Sequence, residues 1–356
     1  MNVNRKISLF FLLLVFINNI WAQEPAGYYS PAEGKKEAEL KTAFYNIIKD
    51  HIMLEYYSSS THFRSTDWHP ATTGYPGGYF WDMYSNNKRT VWSGMNREHS
   101  MPKSWWSTNP ENTVAYSDLN NLYPSDATAN SAKLNYSLGE VGGTPIYSNG
   151  VVKVGTNTFS GYTGTVFEPA DEYKGDFARD YMYVVTCYED YANNWRSTGT
   201  LSMLSSGTYP VFKPWAVNLL LKWSNQDPVS EKEIVRNNAV YAIQHNRNPF
   251  IDHPEIADFI WGSRKSEAWS IDVGPAETEA TFNVQFNPAT DLVTVKISKP
   301  EQATYFIQNL NGIMLQTDKF TDEGTCSVSN LKNGMYLIVV YTANNKRKTG
   351  KFVVMR

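Results

Sequence analysis

A glutamate and a histidine stand next to each other in the stretch NREHSMPKSWW, which begins at Asn96. The 356-residue chain has only six histidines, and two asparagines, Asn121 and Asn130, follow His99 by 22 and 31 residues. A neutral imidazole has a pKa near 6.5 and can accept a proton from water at neutral pH. Carboxylate and amide oxygens, here those of Glu98 and Asn130, are the ligands that a hard cation such as Mg²⁺ takes. These residue types together suit phosphodiester hydrolysis by an activated water.

The spacing indicates which elements would position these groups. A histidine on a first strand, an asparagine near a second strand and a ligand on the next helix follow one another in a ββα-metal site. The segment SDATANSAKLN supports the helix, because Ser125 or Asp126 can act as its N-cap. Neighbouring residues on a strand point to opposite faces, so Glu98 and His99 can share a site only where the chain bends. Pro102, close behind, favours such a bend.

The N-terminus carries an export signal. Arg5 and Lys6 precede the apolar run ISLFFLLLVFI, and Ala22 offers a small residue for cleavage before Gln23. The run has 11 residues, whereas a membrane span needs about 20. We therefore expect a signal peptide at residues 1–22 and no membrane span after its removal. Loss of its two cations changes the formal net charge from −3 to −5, which counts against a strongly basic nucleic-acid-binding surface, although a bound metal can neutralise phosphates.

Composition indicates a globular protein without a disulfide framework. Hydrophobic residues make up 42% of the chain and charged residues 19%, which is enough apolar material for a proper core. Only two cysteines occur, Cys187 and Cys326, and they lie far apart. We therefore expect two unpaired thiols, at least one of them buried, despite the export signal.

Residues 23–269, the predicted catalytic domain, combine helical patterns with segments typical of loops and short strands. Apolar residues recur at helical spacing from Leu40 to Ile52, and again in FARDYMYVVTCYEDY. Ser230 and Glu233 have the spacing of a capping box before a helix that should run to about residue 245. The pair at residues 30 and 33, with a proline between them, is a second candidate capping box.

The pattern changes after residue 269. The acidic segment SIDVGPAETEAT, residues 270–281, is typical of a linker, and a period of two follows it. That period links Val293, Val295 and Ile297, and then Leu337, Val339 and Tyr341; Asn-Gly pairs at 311–312 and 333–334 indicate turns. Residues 282–356 are therefore predicted to form a small β-sandwich, a pattern that fits a carbohydrate-binding or adhesion module as well as any other.

NREHSMPKSWW and SDLNNLYPSDATANSAKLNYSLGEV resemble stretches of the endonuclease I family, a ββα-metal (His-Me finger) group of exported, largely non-specific nucleases. The likeness extends in order to WDMYS, FEPADEYKGDFAR, DPVSEKE and NRNPFIDHPE, and covers most of residues 25–262. It implies an α+β fold in which His99 is the general base and Glu98 and Asn130 hold one Mg²⁺, with Mn²⁺ or Ca²⁺ as alternatives. The implied activity is hydrolysis of DNA and/or RNA that leaves 5′-phosphate ends.

The resemblance also suggests supporting residues. Asn121 matches the asparagine that ties the loops behind the histidine, and Asp118 and Asn135 match further motif positions, with a structural role preferred for Asp118. Lys133 and Arg179 are candidate phosphate contacts; for the arginine, an ion pair with Asp176 or Asp180 is an equally good interpretation.

Two departures from the family pattern concern substrate handling. Residue 120 is Asn where His is common, and Ala132-Lys133 replaces a Lys-Arg pair. Outside the motif, a structural turn is preferred over a metal site for Asp252-His253, and the tryptophans at 105 and 106 are expected in the core.

The tail resembles the C-terminal sorting domain of type IX secretion cargo in FNPATDLVTVKI, LNGIMLQ, LKNGMYLIVVY and KFVVMR. This likeness implies passage through the type IX machinery of a Gram-negative, Bacteroidetes-type bacterium, ending outside the cell or attached to its surface. The tail would then serve as an address label with no part in catalysis.

Three functions remain open on sequence grounds. The first is a secreted Mg²⁺-dependent endonuclease acting on nucleic acid. The second is a non-catalytic surface protein that binds nucleic acid or glycan on a nuclease scaffold, and the third is a phosphodiesterase for small substrates. An inactive relative should have lost His99, Glu98 or Asn130, and all three are present, which favours the enzyme.

Overall fold

The computed structural model describes residues 24–193, 195 and 203–271, and in the tail 282–287, 292–297, 302–309, 314–321, 323–342 and 347–354. The chain divides into two compact units, Met1–Ile271 and Asp272–Arg356. The expected signal peptide and most of the expected linker lie outside the described residues. Among the helices of the described part, none is long and apolar enough to cross a membrane.

The described part of the first unit contains eight α-helices: α1 Glu37–Ile48, α2 Ser59–Thr66, α3 Ala127–Lys133, α4 Lys174–Cys187, α5 Pro214–Gln226, α6 Glu231–Gln244, α7 Pro249–Asp252 and α8 Ile256–Ile260. Helix α6 begins with the predicted capping box, in which Ser230 and Glu233 each bond the other's backbone N–H. The second predicted box is wrong: Ser30 Oγ donates to Gly27 O at 2.8 Å, and only a 3₁₀ turn follows.

Eight short strands accompany these helices: β1 Trp68–His69, β2 Tyr79–Phe80, β3 Met95–His99, β4 Leu122–Asp126, β5 Ser137–Leu138, β6 Tyr147–Ser148, β7 Lys153–Thr156 and β8 Thr165–Glu168. They form a β1-β2 pair, a β3-β4 pair and a four-stranded sheet in the order β5-β8-β7-β6. Strands β3 and β4 are antiparallel, with Glu98 opposite Tyr123 and His99 opposite Leu122.

Helix α4 runs through the centre of this unit. Every residue of α4 after Lys174 is buried, so it is covered on all sides. Its apolar residues join one large cluster with α1, α5, α7 and α8, and Trp105 and Trp106 belong to that cluster, as expected. Cys187 is buried and unpaired, and so is Cys326 in the tail, which confirms the prediction of free thiols.

Buried ion pairs connect the helices to the strands. Arg236 of α6 donates to both carboxylate oxygens of Asp67, at 2.8 and 3.1 Å, and to the Leu122 carbonyl at 3.0 Å. Its guanidinium also stacks on Tyr123, 3.8 Å from the ring centre. Arg236 and Asp67 are 3% and 1% exposed. Arg236 therefore holds β4 against α6 through Leu122 and Tyr123, and Asp67 balances its charge.

A neighbouring carboxyl group, Asp180 on α4, gives a pH-dependent prediction. Burial raises its pKa to about 8, while Arg236 and the hydrogen bond from Tyr123 act in the opposite direction. An unfolded aspartate titrates near pH 3.9, so folded protein binds this proton more tightly. The contribution of Asp180 to stability is therefore favourable below about pH 4 and is lost as the pH rises to about 8.

We expect Asp180→Asn to gain stability relative to the parent as the pH increases over that range. Asparagine keeps an oxygen that can accept from the Tyr123 hydroxyl, but it does not titrate. Urea unfolding of both proteins at pH 4, 6 and 8 measures the difference, in which the titration of all other groups largely cancels. A stability difference that is independent of pH would show that Asp180 is not protonated in the folded state.

The tail unit is a β-sandwich. Its described strands are β9 Phe282–Asn287, β10 Leu292–Ile297, β11 Ala303–Asn309, β12 Met314–Phe320, β13 Glu323–Ser327, β14 Gly334–Thr342 and β15 Arg347–Val354. They form two antiparallel sheets, in the orders β13-β10-β9 and β12-β11-β14-β15. Val293 and Val295 of one sheet share a core with Tyr305 and Ile307 of the other.

The core face of β14 is not the set of residues that the period of two links. Tyr336, Ile338 and Val340 belong to the core cluster, and Leu337 is only half-buried. Val339 is buried as well, so the strand presents a continuous apolar run, in which alternation cannot select the inner face. The Asn-Gly pair at 333–334 connects β13 to β14 across two different sheets, and the pair at 311–312 lies outside the described residues.

Candidate active site

The β3-β4-α3 segment frames a cleft at the end of β3. Asp126 closes β4 and caps α3, because its Oδ1 accepts from the backbone N–H groups of Thr128 and Ala129 at 2.9 Å. Its Oδ2 accepts from Arg89 at 2.6 Å and from Asn87 at 3.1 Å. Of the two N-cap residues that the sequence allowed, the structure selects Asp126, whose second oxygen also anchors the segment that precedes β3.

The cleft has a volume of about 500 Å³ and brings together four of the eight predicted site residues; we call it the His99 cleft. Its lining includes Glu98, His99, Asn130 and Asn135. The chain bends at Ser100 and Met101, directly after β3, and both neighbours at the end of β3, Glu98 and His99, line the cleft. The expected bend after His99 is therefore present.

His99 has a defined tautomer. Its Nε2 lies 2.8 Å from the Tyr116 carbonyl oxygen, which can only accept a hydrogen bond. Nε2 must therefore carry the proton, and Nδ1 keeps its lone pair. The ring is 5% exposed and packs against the rings of Tyr116 and Trp106, whose centres are 5.1 and 5.7 Å away. Burial lowers the pKa of His99 to about 3, against the effect of the Tyr116 carbonyl, so the imidazole is neutral at physiological pH.

Glu98 is held by a buried lysine. Lys133 Nζ donates to Glu98 Oε1 at 2.7 Å and to the His99 carbonyl at 3.3 Å. Burial raises the pKa of Glu98, and the ammonium opposes that shift. Lys133 is 0% exposed and does not line the His99 cleft. The structure thus contradicts a direct phosphate contact for Lys133, which instead balances the charge of Glu98 and holds the end of β3.

Asn130 is the polar group of α3 that reaches this cleft. It is half-buried, and its carboxamide makes no hydrogen bond to another residue in the described part of the chain. A carboxylate from Glu98 and an unengaged amide oxygen from Asn130 therefore line one cleft. This is a donor set that a hard divalent cation accepts, with water and substrate oxygens completing its coordination. The residues present fit a Mg²⁺ site.

Asn121 fixes the turn behind His99. Its Oδ1 accepts from the Met101 N–H at 2.8 Å, and its Nδ2 donates to the Met101 carbonyl at 3.2 Å. The Ser100 N–H also donates to the backbone carbonyl of Asn121. The side chain and the backbone of Asn121 together tie the end of β3 to the start of β4. Asn135, by contrast, lines the cleft and makes a long bond of 3.5 Å to Ser104 Oγ.

Asp118 is a buried hub. Its Oδ2 accepts from Tyr183 and Tyr188 at 2.7 and 2.6 Å, and its Oδ1 accepts from the Asn120 N–H at 2.8 Å and from Gln244. Asn120, which stands where the family commonly has His, is itself 2% exposed. The preferred structural role of Asp118 agrees with these contacts, which hold the loop that leads to Asn121.

Possible ligand atoms of His51, Asp118 and Cys187 lie within 4.8 Å of one another. The Asp118 carboxylate already accepts four hydrogen bonds, and burial raises the pKa of the Cys187 thiol well above its usual value. His51 Nε2 bonds the Tyr188 hydroxyl at 2.9 Å. The cluster is therefore satisfied as a hydrogen-bond network and offers no thiolate to a metal.

Arg179 lies outside the His99 cleft and is fully buried. Its Nε and Nη2 donate to the two oxygens of Glu233 at 2.6 and 2.8 Å, while Asp176 is 3.9 Å away. The predicted phosphate contact is contradicted, because Nε, Nη1 and Nη2 of the guanidinium all donate to oxygens of the protein. Arg179 does form an ion pair, but its main partner is Glu233 of α6 and not Asp176 or Asp180. A partner 54 residues away cannot be found from spacing within one helix.

The Asp252-His253 pair has structural partners, as the sequence interpretation preferred. Asp252 accepts from Tyr29 at 2.6 Å and from Arg247 at 2.7 Å. His253 Nε2 lies 3.3 Å from Glu24 and its Nδ1 lies 3.5 Å from Glu255. These contacts hold α7 against the N-terminal segment.

Sequence reasoning missed several residues that line the His99 cleft, namely Tyr56, Tyr57, Arg97 and Lys103. The tyrosines precede α2 and lie about 40 positions before His99 in the sequence. The adjacent Tyr-Tyr pair was the available signal, but aromatic pairs are common in cores and carry little information by themselves.

Comparisons with known proteins show which families the two units match. Residues 36–255 match the model of the Endonuclease I family, and residues 286–355 match that of the Secretion system C-terminal sorting domain. Two similar proteins are named extracellular ribonuclease: one of Bacillus subtilis (strain 168), 33% identical over 241 residues, and one of Bacillus amyloliquefaciens, 35% identical over 240 residues. Each alignment covers 66% of this chain and 78% of the relative.

Among solved structures, a DUF3244 family protein from Bacteroides vulgatus with an immunoglobulin-like β-sandwich fold matches 22% of this chain and 88% of its own, at 18% identity and a TM-score of 0.20. The assignment of the tail as a β-sandwich rests on its two sheets, β13-β10-β9 and β12-β11-β14-β15. The sorting-domain match indicates export by type IX secretion. By its family match over residues 36–255, the chain belongs to the endonuclease I family and is a nuclease with a C-terminal secretion sorting domain.

Proposed function

We propose that the first unit hydrolyses phosphodiester bonds of DNA and/or RNA outside the cell, with His99 as general base and Glu98 and Asn130 as ligands of one Mg²⁺. One observation carries the proposal: a neutral imidazole lines the same cleft as a carboxylate and an amide oxygen, and neither the Nδ1 lone pair nor that amide oxygen has a partner among the described residues. The two relatives named ribonucleases make RNA the first substrate to test.

His99 begins the reaction by accepting the proton of the attacking water at Nδ1. The Tyr116 carbonyl orients the ring through Nε2 and stabilises the imidazolium that forms. Asn121 keeps the β3 exit in place, so the imidazole is positioned before substrate arrives. A bound Mg²⁺ would supply stabilisation of charge on the phosphate and on the departing 3′ oxygen. The products would carry 5′-phosphate ends.

Glu98 must be ionised to serve as a cation ligand, and Lys133 favours that state by direct contact. Among the described residues, Lys133 is the side chain that donates to the Glu98 carboxylate, and its bond goes to Oε1. Recognition in this cleft would rest mainly on phosphate and cation contacts, which carry no sequence information. Little sequence specificity is therefore expected.

A paired digest tests the proposed function. Mature protein from residue 23 onward is incubated with supercoiled plasmid and with ribosomal RNA, in Mg²⁺ and in chelator, with Mn²⁺ and Ca²⁺ as further arms. We expect cleavage that requires a divalent cation and stops in chelator, and the faster substrate gives the preference. Folded protein that cleaves neither polymer in any cation would overturn the proposal and favour a non-catalytic binding role.

A further inference from the structure

A second cleft of about 440 Å³ adjoins the His99 cleft; we call it the Tyr57 cleft. Three residues, Tyr56, Tyr57 and Lys103, line both clefts, which therefore adjoin each other; we call the two clefts together the groove. Tyr116, whose carbonyl accepts from His99, lines the second cleft as well. A polymer whose phosphate lies beside His99 would thus place its neighbouring unit in the Tyr57 cleft.

Tyr57 presents an exposed ring on a fixed backbone. The side chain is 74% exposed, while Arg97 Nη2 donates to the Tyr57 carbonyl at 2.7 Å. Arg97 also donates to Ser59 and Ser60 at 2.8 and 3.1 Å, and it directly precedes Glu98 on β3. The ring of Tyr57 packs edge-on against Tyr56 at 5.4 Å. The Arg97 guanidinium also lies 5.7 Å from the centre of the Tyr57 ring. The position of Tyr57 is therefore tied to β3, while most of its ring is exposed.

The charges of the groove differ along its length. Lys103 is exposed at the boundary between the two clefts, with its Nζ 5.0 Å from the Tyr116 ring centre. Glu55 and Glu111, both exposed, line the Tyr57 cleft. Carboxylates repel a phosphate, so this cleft suits the uncharged base and sugar of a nucleotide, and Lys103 suits the phosphate between the two units.

We propose that Tyr57 stacks on an unpaired nucleobase next to the cleaved phosphate, and that the groove thereby favours single-stranded over duplex nucleic acid. This inference rests on the proposed function, since the polymer is placed by the scissile phosphate beside His99. Every base has a π-face, so such stacking is tolerant of sequence. In a duplex each base is already stacked and paired, and its face is not available to the tyrosine.

The test measures binding of fluorescein-labelled single-stranded oligonucleotides, as DNA and as RNA, by anisotropy in chelator, where no cleavage occurs. We expect Tyr57→Ala to raise Kd at least about fivefold, and Tyr57→Phe to retain the parental Kd because the ring is kept. Ile146→Ala is the matched control, since Ile146 is also 74% exposed and lines neither cleft. The same sequences as duplexes should show less than about a twofold change between the variants.

An abasic scan makes the result specific. Where the base that meets Tyr57 is removed, the parent and Tyr57→Ala should bind with the same Kd. The inference is overturned by a Kd that changes less than about twofold in Tyr57→Ala, by an equal loss for duplexes, or by a parent that binds no single strand. Parallel digests separate the two proposals: cleavage with unchanged Tyr57→Ala binding overturns only the stacking subsite, whereas ring-dependent binding without cleavage overturns only the hydrolytic mechanism.

Discussion

His99→Ala is expected to lower the rate of phosphodiester cleavage by about 10²–10⁴-fold at neutral pH, the range that a positioned general base contributes. The expectation follows from the bond between Nε2 and the Tyr116 carbonyl, which leaves Nδ1 as the proton acceptor. The loss should be in kcat, because the imidazole acts in the transition state rather than in holding the polymer. Initial rates on RNA and plasmid in saturating Mg²⁺ measure it.

His62→Ala is the matched control for this variant. His62 is half-buried on α2, and its side chain makes no hydrogen bond within the described residues. It should retain the parental rate. Thermal melts show whether His99→Ala remains folded, and added imidazole should restore part of its activity. A folded His99→Ala variant that cleaves within about threefold of the parent would exclude the base role.

Asp67→Asn is expected to lower the free energy of unfolding by about 3–5 kcal/mol, because it leaves the Arg236 guanidinium buried without its carboxylate partner. Both side chains are almost fully buried, and the same guanidinium bonds the Leu122 carbonyl and stacks on Tyr123. The loss should therefore loosen β4, and with it the frame of the His99 cleft. Chemical denaturation of the mature protein measures the change.

Glu267→Gln is the matched control for the buried pair. Its partner Arg264 lies 2.9 Å away at i,i+3, but the two side chains are 54% and 47% exposed. Solvent screening makes such a pair worth about 0–1 kcal/mol, so this variant should stay close to the parent. A similar, small loss from Asp67→Asn would mean that the buried pair contributes no more than the exposed one. Combining Asp67→Asn with Arg236→Met should recover part of the loss, since no buried charge remains unpaired.

Sequence order was sufficient for much of the local structure. The capping box at Ser230 and Glu233 was readable because its partners are three residues apart. The α3 cap was also readable, although only the contacts of Asp126 distinguish it from Ser125. The box predicted at Ser30 failed, because its hydroxyl bonds backward to Gly27 instead of forward. Local spacing is informative where both partners are fixed by one helical turn.

Partners from distant segments could not be read in this way. Lys133 and Arg179 both looked suited to phosphate as isolated cations, yet their carboxylates come from positions 35 and 54 residues away. The packing of α3 against β3 and of α6 against α4 creates these pairs. A cation alone in a sequence has no visible partner, so its preference for an internal carboxylate appears only once the chain is folded.

By itself the sequence determined which groups are proposed to do the chemistry: Glu98 beside His99, and Asn130 ahead on a helix. It also determined the two-part organisation and the strand-rich nature of the tail. Only the tertiary structure decided which imidazole nitrogen is open, which cations face the groove and where Tyr57 lies. The reason is physical: residue type fixes what a side chain can donate or accept, whereas its availability depends on hydrogen-bond partners and burial supplied by remote parts of the chain.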